Sequence, residues 1–135
     1  MNVEIDHLGI AVRSLEEATR FYSGLLGMEI SCRETIEAEH VHLAMLPAGT
    51  VADSPRIELL EASNEESAIA KFIEKRGPGL HHVALRVDDL RAVADRLQAA
   101  GSRILSEPQI GAGGHSYLFV HPASSGGVLL ELIQK

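Results

Sequence analysis

The chain carries the same pattern twice, and that repetition limits its fold more than any other feature. The segment IDHLGIAVRSL, Ile5 to Leu15, returns as LHHVALRVDDL, Leu80 to Leu90, at an offset of 75 residues. IELL, Ile57 to Leu60, returns as LELI, Leu130 to Ile133, at an offset of 73, so the copies differ by only two residues of loop length. Repetition on this scale marks a duplicated supersecondary unit whose copies bury each other's open faces.

Each copy reads as strand, helix, then three strands. Val3 to Val12 alternates Ile5, His7, Gly9 and Ala11 against Leu8, Ile10 and Val12, the period of a half-buried strand. Ser14 with Glu17 three residues on forms a capping box. Leu15, Ala18, Phe21, Tyr22 and Leu25 make the apolar stripe of the helix that follows, and Gly27 suits its left-handed C-terminal cap. Strands are expected over Met28 to Arg33, His40 to Leu46 and Arg56 to Glu61, with Pro47 to Gly49 as the turn between the last two. In the second copy Leu80 to Val87 is the first strand, and Asp89 caps a helix carrying Leu90, Val93 and Leu97 that stops at Gly101. Strands are then expected over Arg103 to Leu105, Ser116 to His121 and Val128 to Ile133. Between the copies, Asn64 to Lys75 reads as a linking helix ending at Gly77-Pro78-Gly79. The expected organisation is one domain over 1–135, with a first βαβββ module at 1–62, a linking helix and turn at 63–78, and a second module at 79–135.

Length and composition narrow the function. With 135 residues, 45% apolar and 23% charged, the chain is long enough for a real core without disulfides. Twelve basic against nineteen acidic residues give a net charge of −7, which disfavours nucleic acid and anionic membrane as partners. Aromatics are 4% and Trp is absent, so a base-stacking platform is poorly supported. The N-terminus MNVEIDHLGI carries Glu4 and Asp6, unlike a signal or transit peptide, and no apolar run reaches membrane-spanning length. Together with the lone Cys32, this predicts a cytoplasmic protein acting on a small molecule. P-loop, GxGxxG, GxSxG and CxxC motifs do not occur; the GAGG at Gly111 to Gly114 follows no strand-to-helix pattern and reads as a flexible loop, although its NH groups could meet an anion.

One metal-capable residue lies in the first strand of each copy and one in the last: His7 and Glu58, then His82 and Glu131. Alternation places His7 with Gly9 and Ala11, and His82 with Ala84, on a face that leaves room, while Leu8, Ile10, Val12, Val83, Leu85 and Val87 fill the packed face. Glu58 and Glu131 are carboxylates inside apolar strands, where an uncompensated charge costs several kcal/mol. A cation removes that cost. A strand His alone is more often a hydrogen-bonded residue, and a strand Glu alone often faces solvent; the matched placement of two of each turns the balance toward a metal site. Two imidazoles and two carboxylates suit a first-row divalent ion and leave two octahedral positions for water or substrate. His81 points away from His82, and His40, His42, His115 and His121 fall on strand edges or loops where hydrogen bonding accounts for them. Arg86 shares the face of His82 and Ala84, either meeting a substrate anion or forming a surface ion pair, the second being the commoner case.

The runs IDHLGIAV (5 to 12), IELLEASNEESAIAKFIEKRGPGLHHVALRVDD (57 to 89), SEPQIGAGG (106 to 114) and FVHPASSGGVLLEL (119 to 132) resemble the vicinal oxygen chelate superfamily, and within it the methylmalonyl-CoA epimerases, over nearly the whole chain. The resemblance implies an α+β fold of two tandem βαβββ modules forming a curved mixed sheet around a metal site. It implies one divalent cation per chain, Co²⁺ first and Mn²⁺, Ni²⁺, Zn²⁺ or Fe²⁺ otherwise, on His7, Glu58, His82 and Glu131. It also implies a homodimer, an acyl-CoA substrate, and exchange of the C2 proton through a metal-stabilised enediolate that interconverts (2R)- and (2S)-methylmalonyl-CoA. Glu131 resembles the carboxylate that is both ligand and acid/base. The opposite carboxylate of some members falls where this chain has Leu43, which leaves a bound water or His42 as candidates for the second proton carrier. A glyoxalase-like isomerase, an extradiol dioxygenase and a metal-free binding module are the alternatives; the second ligand, Glu58, argues against the dioxygenase, and the symmetric ligand set against the binding module.

Overall fold

The computed structural model describes residues 2–111 and 114–135, so of the GAGG run Ala112 and Gly113 lie outside the described residues. Two compact units are formed, residues 7–81 (the N-terminal unit) and residues 82–135 with the residues up to Asp6 (the C-terminal unit). The elements run β1 (Val3–Ala11), α1 (Leu15–Thr19), β2 (Cys32–Ile36), β3 (Val41–Pro47), β4 (Arg56–Ala62), α2 (Ala68–Arg76), β5 (Gly79–Val87), α3 (Leu90–Ala99), β6 (Gln109–Ile110), β7 (Ser116–Val120) and β8 (Leu130–Gln134). This is the expected α+β pattern of two tandem βαβββ modules. No described helix is long and apolar enough to cross a membrane.

Strand order in the N-terminal unit is β2-β3-β4-β1 and in the C-terminal unit β5-β8-β7-β6. In both, the last strand of the module lies parallel to the first and antiparallel to its predecessor, so each sheet is mixed. The registers agree as well. Glu58 stands beside Gly9, and Glu131 beside Ala84, the position that matches Gly9 in the repeat.

The helix of each module packs on the face away from these carboxylates. Leu15, Ala18 and Tyr22 cover Ile10, Val12, Ala44, Leu46 and Leu59. In the C-terminal unit Leu90, Val93 and Ala94 cover Leu118, Val120 and Leu132. Contrary to the expectation that the His7 face stays open, α2 lays Ile69, Phe72 and Ile73 over Ala11, Val41, Leu43 and Leu60. The linking helix thus closes the end of that face where apolar side chains give it something to bury.

Several boundaries differ from the sequence reading. Helix α1 is regular only to Thr19 and continues as a π-helical turn over Arg20–Leu25, closed by the Leu26 amide donating to the Phe21 carbonyl. The wider winding takes Phe21 and Leu25 off the apolar stripe, leaving them 49% and 76% exposed, while Gly27 takes the expected left-handed conformation at φ +82°. Strand β2 begins at Cys32 rather than Met28, because Met28 and Ile30 are drawn into the core beneath α1. Arg103 to Leu105 yields a single bridge, Ile104 to Val120, and the edge strand forms later at Gln109–Ile110. Helix α2 starts at Ala68, since Ser67 caps it by accepting from the Ile69 amide, and Asn64 instead holds a turn by accepting from the Glu66 amide.

Both module helices are capped in the same way. Ser14 accepts from the Glu17 amide at 3.1 Å, and its repeat mate Asp89 accepts from the Ala92 amide at 3.0 Å. A side chain from the end of the last strand takes a further amide: Glu61 accepts from Leu15 N and Gln134 from Leu90 N, each at 2.7 Å. These bonds satisfy first-turn donors that the helix itself cannot reach, and they tie each helix to its carboxylate-bearing strand. Glu61→Ala is therefore expected to cost about 1 kcal/mol, and Glu61→Gln less, since Gln134 shows that an amide oxygen serves. Urea unfolding of the two variants beside the parent measures the difference.

Candidate active site

The shared register produces one His–Glu pair in each unit. In the N-terminal unit His7 Nε2 stands 3.6 Å from Glu58 Oε1, with the side chains 8% and 12% exposed. In the C-terminal unit His82 Nε2 stands 3.7 Å from Glu131 Oε1, at 7% and 14%. The cause is local in both: the carboxylate projects beside a residue with little or no side chain, Gly9 or Ala84, two positions along the strand from the histidine.

Each pair is also walled by an apolar side chain from the antiparallel neighbour. Met45 is the register partner of Glu58, and Phe119 that of Glu131. The Phe119 ring stands edge-on to His82 at 6.3 Å between centroids, with Tyr117 edge-on to Phe119 at 6.1 Å. A Cβ at Gly111 would come within 2.9 Å of the Tyr117 ring, so glycine leaves that ring its place. Sequence reasoning passed over Met45 and Phe119. The signal was available, since each lies at the matching position of the strand preceding its carboxylate.

His40, His42, His81 and His121 make contacts of their own. His40 Nδ1 is 2.9 Å from the Asn64 amide nitrogen, and His42 Nδ1 is 2.8 Å from Thr35 Oγ1. His121 accepts from the Ala123 amide, and His81 packs edge-on against Phe72. Pairing with Thr35 places His42 on the face opposite Leu43. Arg86 forms an ion pair, yet not a surface one: its Nε is 3.7 Å from Oδ1 of Asp6, which is 2% exposed and also holds Lys135 Nζ at 2.9 Å. Two cations on one buried carboxylate fix β1 just before His7, a constraint no motif in the sequence announced.

The donor set fits a divalent ion. Two donor atoms on one first-row cation, each about 2.1 Å from it, stand roughly 3.0 to 3.4 Å apart. The His–Glu spacings lie within a few tenths of an ångström of that range. Buried imidazole and carboxylate in equal number are the hard-to-intermediate ligands that such ions take.

Known proteins resemble the chain in both sequence and fold. The family model for the Glyoxalase/Bleomycin resistance protein/Dioxygenase superfamily matches residues 6–119. The chain is 40% identical to the ethylmalonyl-CoA/methylmalonyl-CoA epimerase of Cereibacter sphaeroides, covering 96% of each chain. It is 36% identical to the mitochondrial methylmalonyl-CoA epimerase of Homo sapiens, covering 96% of this chain and 73% of the human one. Among solved structures, a Streptomyces coelicolor methylmalonyl-CoA epimerase variant in complex with 2-nitronate-propionyl-CoA superposes with a TM-score of 0.87 at 36% identity, over 98% of this chain and 96% of the other. With its paired modules, matched His–Glu registers and full-length relatives, the chain belongs to the Glyoxalase/Bleomycin resistance protein/Dioxygenase superfamily, the vicinal oxygen chelate proteins.

Proposed function

We propose that this chain is an epimerase that interconverts (2R)- and (2S)-methylmalonyl-CoA by removing and returning the proton on C2. The observation that carries the reading is full-length similarity to epimerases of this substrate, joined to a His–Glu pair at the same register in each repeat. A nitronate is a planar anion, the form an acyl-CoA takes at C2 once its proton has left, so the Streptomyces ligand marks the kind of charge such a site holds.

In this reading His7, Glu58, His82 and Glu131 together hold one divalent cation, with Co²⁺ favoured and Mn²⁺, Ni²⁺, Zn²⁺ and Fe²⁺ admitted by the same donors. When bound, the cation supplies positive charge to the substrate oxygens that become negative as the C2 proton departs. The protein's own groups do the rest. Glu58 and the two histidines hold position from strands whose outer faces are pinned by helices. Glu131 takes or returns the proton, and Phe119 and Met45 keep water from the carboxylates beside them. The lone Cys32 stays reduced in the cytoplasm, the compartment this reading assigns. The chain works as a homodimer, because modules this short leave sheet edges to cover and Val3 and Ile5 on β1 remain 52% and 47% exposed.

Deuterium exchange at C2 of methylmalonyl-CoA, followed by NMR with and without chelator, tests the activity: exchange is expected to stop on chelation and return with Co²⁺. His82→Ala is expected to lose the ion, and stoichiometric metal in that variant by elemental analysis would overturn the ligand assignment. Glu131→Gln keeps an oxygen for the cation but cannot carry a proton, so turnover should fall about 10² to 10⁴-fold with metal partly retained, whereas Glu58→Gln should cost far less. Equal modest losses in both variants would leave Glu131 a ligand only. Light scattering should give twice the 14.5 kDa chain mass; a monomer across the micromolar range would overturn the dimer and leave the chemistry standing.

A further inference from the structure

The C-terminal unit holds its own His–Glu pair, and a row of contacts runs to that pair from the far edge of the sheet. Alternation along β7 sends Leu118 and Val120 into the core beneath α3 and turns Tyr117 and Phe119 to the other face. Pairing with β8 sets Phe119 beside Glu131 and Tyr117 beside Ile133, while β6 sets Gln109 beside Tyr117. Phe119 therefore borders both members of the pair. It neighbours Glu131 across the ladder, and its ring stands at 85° to the His82 ring with 6.3 Å between centroids.

Phe119 is itself held. Tyr117 presents its ring at 81° to that of Phe119, 6.1 Å between centroids, and its hydroxyl donates to Gln109 Oε1 at 3.0 Å. A methyl group at Gly111 would lie 2.9 and 3.1 Å from two carbons of the Tyr117 ring, so a side chain there displaces the ring. The Gly111 amide donates to the His115 carbonyl at 2.8 Å, which extends the β6–β7 pairing and keeps Gln109 and Gly111 in register with Tyr117.

A histidine ligand donates through a lone pair in the plane of its ring, so a turn of the ring about its last torsion takes Nε2 off the ion. That torsion is broad for histidine, and rotamer preference does not fix it. Metal-binding histidines are commonly oriented by a hydrogen bond from outside the ligand set. An aromatic edge set against the imidazole constrains the same torsion by shape. We propose that Gln109, Tyr117 and Phe119 form a positioning row that fixes the plane of the His82 ring for the ion. Phe119 meets the imidazole; Tyr117, pinned by Gln109 and fitted to Gly111, keeps Phe119 from turning away. The inference rests on His82 being a metal ligand, as proposed above. It gives the two-residue edge strand β6 a part in the site, although β6 lies two strands from the one that carries Glu131.

Cobalt binding by the full-length protein tests this, read as a dissociation constant by chelator competition and as the visible absorption band of the saturated protein. Phe119→Leu keeps an apolar side chain but removes the ring, and should weaken Co²⁺ by about 10 to 100-fold and shift the band. Phe119→Tyr keeps the aromatic edge and should restore the parental constant and band. Gly111→Ala pushes the Tyr117 ring aside and should weaken Co²⁺ several-fold in the same direction; it reads the row even if Phe119→Leu fails to fold. A variant that only loses stability lowers the urea midpoint and leaves the saturated band where it was. A band unmoved in Phe119→Leu and Gly111→Ala therefore overturns the assignment, as does parental affinity in both. If the parent protein binds no Co²⁺, the ligand set proposed above fails, and the positioning role falls with it.

Discussion

Parallel pairing of the first and last strand in each module is the constraint on which the site depends. It fixes a carboxylate beside a residue with almost no side chain, two positions beyond a histidine, and does so in both units. A shift of one residue would turn Glu58 or Glu131 to the helix-covered face, where an uncompensated charge costs several kcal/mol. Gly9 and Ala84, with little or no side chain, are the register partners beside which the two carboxylates stand.

The helices hold that register from behind. Each is tied to the carboxylate-bearing strand by a side chain at the end of that strand, Glu61 or Gln134, three residues past the carboxylate. Sliding the strand by one residue would break the cap, bury the charge and empty the apolar face together. Three separate terms thus favour one register, which is how a site made of short strands can be rigid enough to hold imidazole and carboxylate within ligand spacing. Asp6, gripped by Lys135 and Arg86, adds a fourth restraint at the residue next to His7.

The two units are not equivalent in what surrounds their His–Glu pairs. In the N-terminal unit α2 covers part of the functional face, and the wall beside the carboxylate is a flexible Met45; in the C-terminal unit the wall is Phe119, backed by Tyr117. The repeat accounts for the matched His–Glu pairs, and the residues flanking them differ between the halves.

The sequence alone determined the repeat, the βαβββ order and the four residues at matched positions, because strand alternation and helix capping are local and repeat in register. His40 and His121 lie outside the strands as the sequence suggests, whereas His42 lies within β3, paired on both sides. Tertiary structure decided the rest. The π-helical end of α1, the late start of β2 and the loss of the strand at Arg103 to Leu105 all follow from competition for core positions, which one-dimensional periodicity does not contain. The Glu61 and Gln134 caps span 46 and 44 residues, and the Asp6 contacts with Arg86 and Lys135 bridge still longer stretches of chain. Alternation told which residues share a face; only the paired strands told which faces meet, and so brought Phe119 and Tyr117 onto the face of Glu131.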